Sequence, residues 1–355
     1  MKPVLYLKGS TELDVRLQKF IKFFKSISIP ITFFGWDRQR ETKPSSKDFE
    51  YVLKGGGYNN KLLYLYYPLW VIKLFFKLLF LKQLNKYNVI AINFECGLPI
   101  YLVSKIRKID YIYEVYDEFA LSHNFPNNLK KFIIHFDKKI MRRAKFVIHV
   151  DKNRDNYPDC KTIIIENSPN DYFHGNQRTY DNLSHKFAII GNISKGRGIG
   201  EIYKFVINNP GIEFILVGTF YDKEFKDQFI KLPNVEYFDR MLQEELFAKL
   251  GSCVGIFSLY DASLEINRLA ASNKVYDAMM LGIPVITNPE VINSKFIMDE
   301  NIGVIVNYFY DESWDVLASP EFLDKAKLIG SNGRKLYLNR YLFEKMLEQR
   351  LLPEL

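Results

Sequence analysis

The sequence predicts an α/β protein built from two doubly wound, Rossmann-like domains, each a parallel sheet flanked by helices. Three observations carry that prediction. Short apolar runs of strand length alternate with amphipathic helical patterns along the chain. Midway the alternation is interrupted by a polar, turn-rich stretch at 167–184, and then resumes in the same rhythm. The length of 355 residues, with 48% hydrophobic and 25% charged, suits two ordinary cores and excludes disordered, collagen-like and disulfide-scaffold classes. The expected division is 1–170 for the first domain, 185–335 for the second, and a C-terminal helix at 336–355 that crosses back onto the first.

The first half reads as strand at 3–7, amphipathic helix at 12–25 and strand at 30–35, the opening of a βαβ unit. A polar segment at 37–61, with Gly55, Gly56 and Gly57, reads as a mobile loop carrying a short strand at 49–53. Strand at 89–93, helix at 99–107, strand at 111–115, helix at 128–143, and strands at 146–150 and 162–165 complete the first sheet. The second half gives strand at 187–190, helix at 200–207, strands at 213–217 and 235–238 and helix at 243–250. Strand at 254–257, helix at 273–281 and strand at 284–287 follow, with a helical tail from 321. Ligands of such sheets bind beyond the strand carboxyl ends, so the active site is expected in a central cleft that both domains face.

The most apolar stretch, 62–81, nearly has the length to cross a bilayer, but Lys73 and Lys77 interrupt it. Each central lysine costs about 2.5 to 3.5 kcal/mol on insertion, and Pro68 breaks the first half, so a helix starting at Pro68 is expected instead of a span. Lys73, Lys77 and Leu84 would lie near one side, with Trp70, Leu74, Phe75, Leu78, Leu81 and Lys82 filling the rest. Two readings stay open: an inner helix on the sheet, or a membrane-docking face with aromatic and basic anchors.

Lys and Arg outnumber Asp and Glu by 49 to 41, giving a net charge of +8 and a pI near 9.0. An anionic partner is implied: nucleic acid, nucleotide phosphate or acidic membrane. No arginine-rich stripe, zinc spacing or RNP-like signature accompanies the charge, which argues against nucleic acid. Cys96, Cys160 and Cys253 are too scattered for a disulfide framework or a zinc site, and the five histidines show no ligand spacing. The opening residues lack an export signal, and a cytoplasmic location is expected.

Two segments suit phosphate chemistry. Gly191-Asn192-Ile193-Ser194-Lys195-Gly196-Arg197-Gly198 follows a buried strand and precedes a helix. Its glycines permit close backbone approach, and its amides, Lys195 and Arg197 can meet a diphosphate. The plain alternative is a tight strand-to-helix turn with solvated side chains. In Ser272-Asn273-Lys274-Val275-Tyr276-Asp277, a capped helix start, Lys274 and Asp277 share one face. The lysine can neutralise phosphate and the acid can accept both hydroxyls of a ribose. The alternative there is an exposed i,i+3 ion pair.

The second segment, running on through Gly282-Ile283-Pro284-Val285-Ile286, resembles the (N/P)-K-x-x-E-x-x-x-x-G-x-P-V-I signature of GT-B glycosyltransferases of the retaining family 4, with Asp277 in the glutamate position. The loop Gly191–Gly198 is similar to the family's G-(R/N)-x-x-x-(G/R)-G loop, Phe214 to Gly218 to its "lvliG" strand, and Asn234 to Arg240 to its nV-x-f-x-G segment. In the first half Tyr113-Glu114-Val115-Tyr116-Asp117 is similar to Y-D-x-H-D, and Arg16 stands where relatives carry R-x-x-K. The resemblance spans nearly the whole chain through the collinear order of degenerate motifs. It departs from the family at two places: Tyr116 replaces the strand-end histidine, and Leu269 stands at the first position of the E-x7-E pair, with Glu265 nearby.

The resemblance implies an acceptor-side first domain, a nucleotide-sugar-binding second domain, and a hexosyl- or related glycosyltransferase that retains anomeric configuration. The donor is a UDP- or GDP-sugar, and the acceptor is a polyprenyl-diphosphate-linked or other glycan in surface polysaccharide synthesis, made at the cytoplasmic face of the inner membrane. Implied catalytic residues are Asp117, Tyr116 and Glu265. Implied donor contacts are Gly191, Asn192, Lys195, Arg197, Gly198, Arg240, Asn267, Lys274 and Asp277. No Asp-x-Asp motif stands at a strand end, so no metal or other cofactor is expected. A nucleotide-sugar epimerase of the same fold and an inactive scaffold binding a partner glycosyltransferase remain the competing readings.

Overall fold

A computed structural model describes residues 1–57, 63–116, 119–122, 125–152, 159–175, 180, 183–268 and 272–355, with the backbone alone at 63, 64, 121, 122, 265 and 266. Contacts divide the chain into two units, Met1–Glu166 with Met346–Leu355, and Asn167–Lys345.

The first unit holds β1 (Val4–Lys8), β2 (Ile31–Asp37), β3 (Phe49–Lys54), β4 (Asn88–Ile92), β5 (Ile112–Val115), β6 (Val147–His149) and β7 (Thr162–Ile164), with helices α1 (Val15–Ser26), α2 (Leu63–Phe80), α3 (Asn93–Arg107), α4 (Phe119–Ser122) and α5 (Asn127–Arg143). The sheet order is β3-β2-β1-β4-β5-β6-β7, and every pair is parallel. Residues 4–7 are apolar without alternation because helices cover both faces of such a sheet, and all of β1 is buried. The chain winds outward from β1 to β3 and returns with β4 on the other side of β1. That reversal is a topological switch point, and it opens a crevice beyond the carboxyl ends of β1 and β4.

The second unit repeats the scheme with β8 (Lys186–Ile193), β9 (Glu213–Phe220), β10 (Val235–Phe238), β11 (Gly255–Phe257), β12 (Val285–Thr287) and β13 (Gly303–Ile305) in the order β10-β9-β8-β11-β12-β13. Its helices are α6 (Ile199–Asn208), α7 (Lys223–Phe229), α8 (Gln243–Lys249), α9 (Glu265–Arg268), α10 (Asn273–Leu281), α11 (Ser294–Asp299), α12 (Asp315–Ala318) and α13 (Phe322–Leu336). The switch point here lies between β8 and β11. One face of the sheet is packed by Phe187, Phe205, Phe214, Phe257 and Trp314, the other by Val275, Met279 and Met280 of α10. Asp171, in the polar stretch between the sheets, is held by both Nη atoms of fully buried Arg334, at 2.6 and 3.0 Å.

Two proline expectations are corrected. α2 begins at Leu63 and α3 at Asn93, so Pro68 and Pro99 lie inside helices instead of starting them. Each proline forfeits one backbone bond near its helix start, and the burial that follows outweighs it: Trp70, Leu74 and Leu78 along α2, and Ile100 and Val103 along α3, are core residues. Asn93 is therefore the first residue of a helix and not the last of a strand. Leu84 is buried in a separate short turn and takes no part in a stripe with Lys73 and Lys77. Helices α7 and α11 and strand β13 were not foreseen; each is short, with too few residues to establish a period. No helix among the described residues is long and apolar enough to cross a membrane.

Candidate functional site

At the switch point of the second sheet, β8 extends through Gly191, Asn192 and Ile193, three residues beyond the expected strand. Gly191 has φ +87°, and a Cβ there would meet nothing within 4 Å, so the strand end faces open space. The adjacent strand makes room with Gly218, where a Cβ would stand 1.9 Å from the carbonyl oxygen of Gly191. A single turn at Lys195–Arg197 follows, and Gly198, at φ +72°, starts α6. A Cβ on Gly198 would approach the Leu259 Cβ to 2.8 Å, so the turn packs onto the segment that leaves β11.

Two side chains fix that turn. Asn267 Nδ2 donates to the carbonyls of Gly196 (3.3 Å) and Asp261 (3.0 Å), and the Tyr308 hydroxyl donates to the carbonyl of Lys195 (3.0 Å). Asn267 thus acts by shaping the turn. The Arg197 guanidinium lies 4.0 Å from the centroid of the Tyr260 ring. Its Nη1 is buried and has no hydrogen-bond partner among the described residues. A cation held on an aromatic face with an unmet donor is ready for an anionic acceptor.

Helix α10 starts beside it. Ser272 is the N-cap residue, yet its side chain makes no cap bond, because its hydroxyl takes the Ser258 hydroxyl at 2.9 Å. Among the described residues no side chain accepts from the first-turn amides of α10, the setting in which a helix start takes up an anion. Lys274 occupies that first turn, half-buried, and makes no hydrogen bond or ion pair among the described residues. Burial lowers its pKa to about 8, and the positive charge of Arg197 adds to the fall, against the pull of Asp277. Two cations are therefore gathered at one helix start against their mutual repulsion, with a carboxylate one turn along.

The other expected donor contacts are placed differently. Lys195 turns outward and pairs with Asp222 at 3.3 Å, leaving Arg197 and Lys274 as the gathered pair. Arg240 is exposed beyond β10, separated from β8 by the whole of β9. Asn192 is exposed on β8. Asp117 and the side chain of Glu265 lie outside the described residues.

In the first unit, Tyr116 follows β5 and lies under Lys8, whose Nζ is 3.6 Å from the ring centroid, and near Arg16 at 5.4 Å. Its amide donates to Asn93 Oδ1 at 2.9 Å. Burial, with the charges of Glu114 and Asp14, pushes its phenol well above the ordinary range, so Tyr116 is a neutral hydrogen-bonding group and not a base. Arg16 is taken by fully buried Glu114 (Nε to Oε1, 2.9 Å) and by the carbonyls of Ile165 (2.8 Å) and Glu166 (3.2 Å). It holds β5 to the end of β7 and is not presented to a ligand. Sequence reasoning missed Tyr260, Tyr308 and Glu95. The first two had no local signal, being aromatic residues in loops, whereas Glu95 stands three residues after the apolar run of β4, where an acid just past a strand's carboxyl end was legible.

No family model matches the chain, and no curated protein matches it in sequence. Solved structures do match in fold. Sucrose-phosphate synthase from Thermosynechococcus elongatus superposes with a TM-score of 0.71 at 14% identity, covering 98% of this chain and 97% of that one. Anabaena Alr3699/HepE, solved with UDP and glucose, gives 0.68 at 15% identity, covering 98% of each. The lipopolysaccharide outer core galactosyltransferase WaaB in its apo form gives 0.63 at 11%, covering 99% of this chain and 100% of that one. These likenesses place the chain among GT-B folds.

Proposed function

We propose, from the GT-B fold and the cations gathered at α10, that the chain is a glycosyltransferase moving a sugar from a UDP- or GDP-sugar to an acceptor hydroxyl. The carrying observation is the convergence of Arg197, its Nη1 unpartnered among the described residues, with Lys274 at an uncapped helix start. The diphosphate takes the Arg197 and Lys274 charges and the α10 amides, and Asp277 accepts the ribose hydroxyls. As the bond from the anomeric carbon to the diphosphate oxygen breaks, negative charge grows on the leaving group. Fixed cations there stabilise the transition state more than the ground state. The acceptor oxygen bonds to the anomeric carbon, and its proton passes to the departing diphosphate oxygen.

The family resemblance extends this reading to retention of configuration and to a polyprenyl-diphosphate-linked or other glycan acceptor of surface polysaccharide synthesis. The exposed apolar stripe of α2 supports peripheral docking on an anionic membrane. The test is release of free UDP or GDP from a sugar-nucleotide panel, with and without a membrane extract as acceptor source. Acceptor-dependent release supports transfer. Interconversion of sugar nucleotides without release identifies an epimerase, and the absence of any nucleotide binding identifies an inactive scaffold.

A further inference from the structure

The first sheet has its own switch point, between β1 and β4, and a cavity of about 380 Å³ opens beside it among α2, α3, α4 and α5. Buried Phe119, Phe125 and Ile133 line its depth, and exposed Ile72 and Phe132 stand at its rim. Among the described residues the lining contains one charged residue, Glu95, in the first turn of α3. Glu95 is 7% exposed, and its Oε2 is buried with no hydrogen-bond partner among the described residues. Behind it stands Gly9, just past β1, where a Cβ would come within 2.9 Å of Glu95 Oε1. The missing side chain at Gly9 makes the space in which the carboxyl is held.

Burial pushes the pKa of Glu95 up to about 7; its own backbone amide and the charges of Arg38 and Lys8 oppose the rise, and Asp137 adds to it. A buried carboxyl with an unmet oxygen is costly unless something pairs with it. The charges of Arg38 and Lys8 already favour the ionised carboxylate, so a cationic ligand is not called for. A free sugar would press many hydroxyls against a hydrocarbon wall that can pair with one. A hydrocarbon body carrying a hydroxyl meets both demands.

We propose that this cavity is a binding site for an aliphatic alcohol, its chain against Phe119, Phe125 and Ile133 and its hydroxyl on Glu95. The site goes beyond the donor reading and requires neither nucleotide nor transfer. Calorimetric titration of the full chain with straight-chain primary alcohols, from hexanol to dodecanol, at pH 8.5, where Glu95 is ionised and only accepts, tests it. Affinity rises about fourfold per added methylene until the cavity is filled. The methyl ether of equal length, which cannot donate, binds about tenfold more weakly. Val71→Phe, which fills the cavity from α2, weakens binding at least tenfold at an unchanged melting temperature. Glu95→Leu erases the preference for alcohol over ether and keeps the dependence on chain length, an effect that loss of folding would not produce. Lys274→Ala binds the alcohol as the parent does, so a failed donor site leaves this result standing. Absence of saturable binding, equal affinity for alcohol and ether, undiminished binding by folded Val71→Phe, or lost binding in Lys274→Ala would each overturn the proposal.

Discussion

Lys274 sits where its own protonation is contested. Burial and Arg197 bring its pKa down to about 8, so in the free protein it is a cation below that pH and largely neutral above it. A nucleoside diphosphate needs the cation. The kcat/KM for donor is therefore expected to fall as pH rises through about 8, since this parameter follows the ionisation of the free enzyme. Lys274→Arg, which keeps its charge at all working pH values, should move that limb upward. Lys274→Ala should lose roughly two to three orders of magnitude in turnover with the fold intact, the usual effect of removing one stabiliser of developing charge. A pH profile unchanged by Lys274→Arg would assign the limb to another group. The lysine, Asp277 and the glycines were legible because helix-start chemistry is local in sequence. The seating of Arg197 on Tyr260 was not, because it joins the ends of two strands that become neighbours only in the sheet.

Helix α2 shows what periodicity leaves undecided. Its composition allowed either core packing or membrane docking, and the structure shows which residues it buries and which it leaves exposed. Trp70, at 0% exposure, stacks on Trp36 with ring centroids 5.9 Å apart, and cannot serve as a membrane anchor. Lys77 is paired with Glu50 at 2.6 Å. The free side is instead Leu65, Leu69, Ile72, Phe76 and Phe80, a stripe at helical spacing that ends with Phe80 at 73% exposure, and Lys73 is also exposed. Such a row of exposed apolar side chains asks for a partner. The full chain is expected to float with anionic liposomes at low salt and less so at high salt. Phe76→Ser with Phe80→Ser should abolish flotation, and Lys73→Glu should weaken it severalfold, about 1 kcal/mol being the worth of one basic residue at such a surface. Equal flotation by all variants, at an unchanged melting temperature, would rule out this stripe as the docking face.

Over the whole molecule, the two-sheet plan was legible because doubly wound sheets write themselves as alternating apolar runs, and most expected strands lie within a few residues of those observed. What stayed hidden depends on distant partners: the burial of Arg16 on Glu114, the assignment of 167–184 to the second unit, and the point, 346 and not 336, at which the tail joins the first unit. Residues 346–355 belong to the first unit, where Arg350 Nη1 donates to Ile164 O (2.8 Å) and to Glu166 (2.7 Å), and Leu347 and Leu351 are fully buried. Deleting 346–355 should cost about 1.5 to 3 kcal/mol for each lost leucine and lower the melting temperature of the first unit. An unchanged melting curve would show that the tail is dispensable. The central claim concerns the second unit, and direct titration of UDP- and GDP-sugars into the parent, Lys274→Ala and Asp277→Asn tests it most directly. Saturable binding of one of these donors by the parent, weakened at least tenfold in both folded variants, is the predicted result; the same affinity in all three proteins would contradict it.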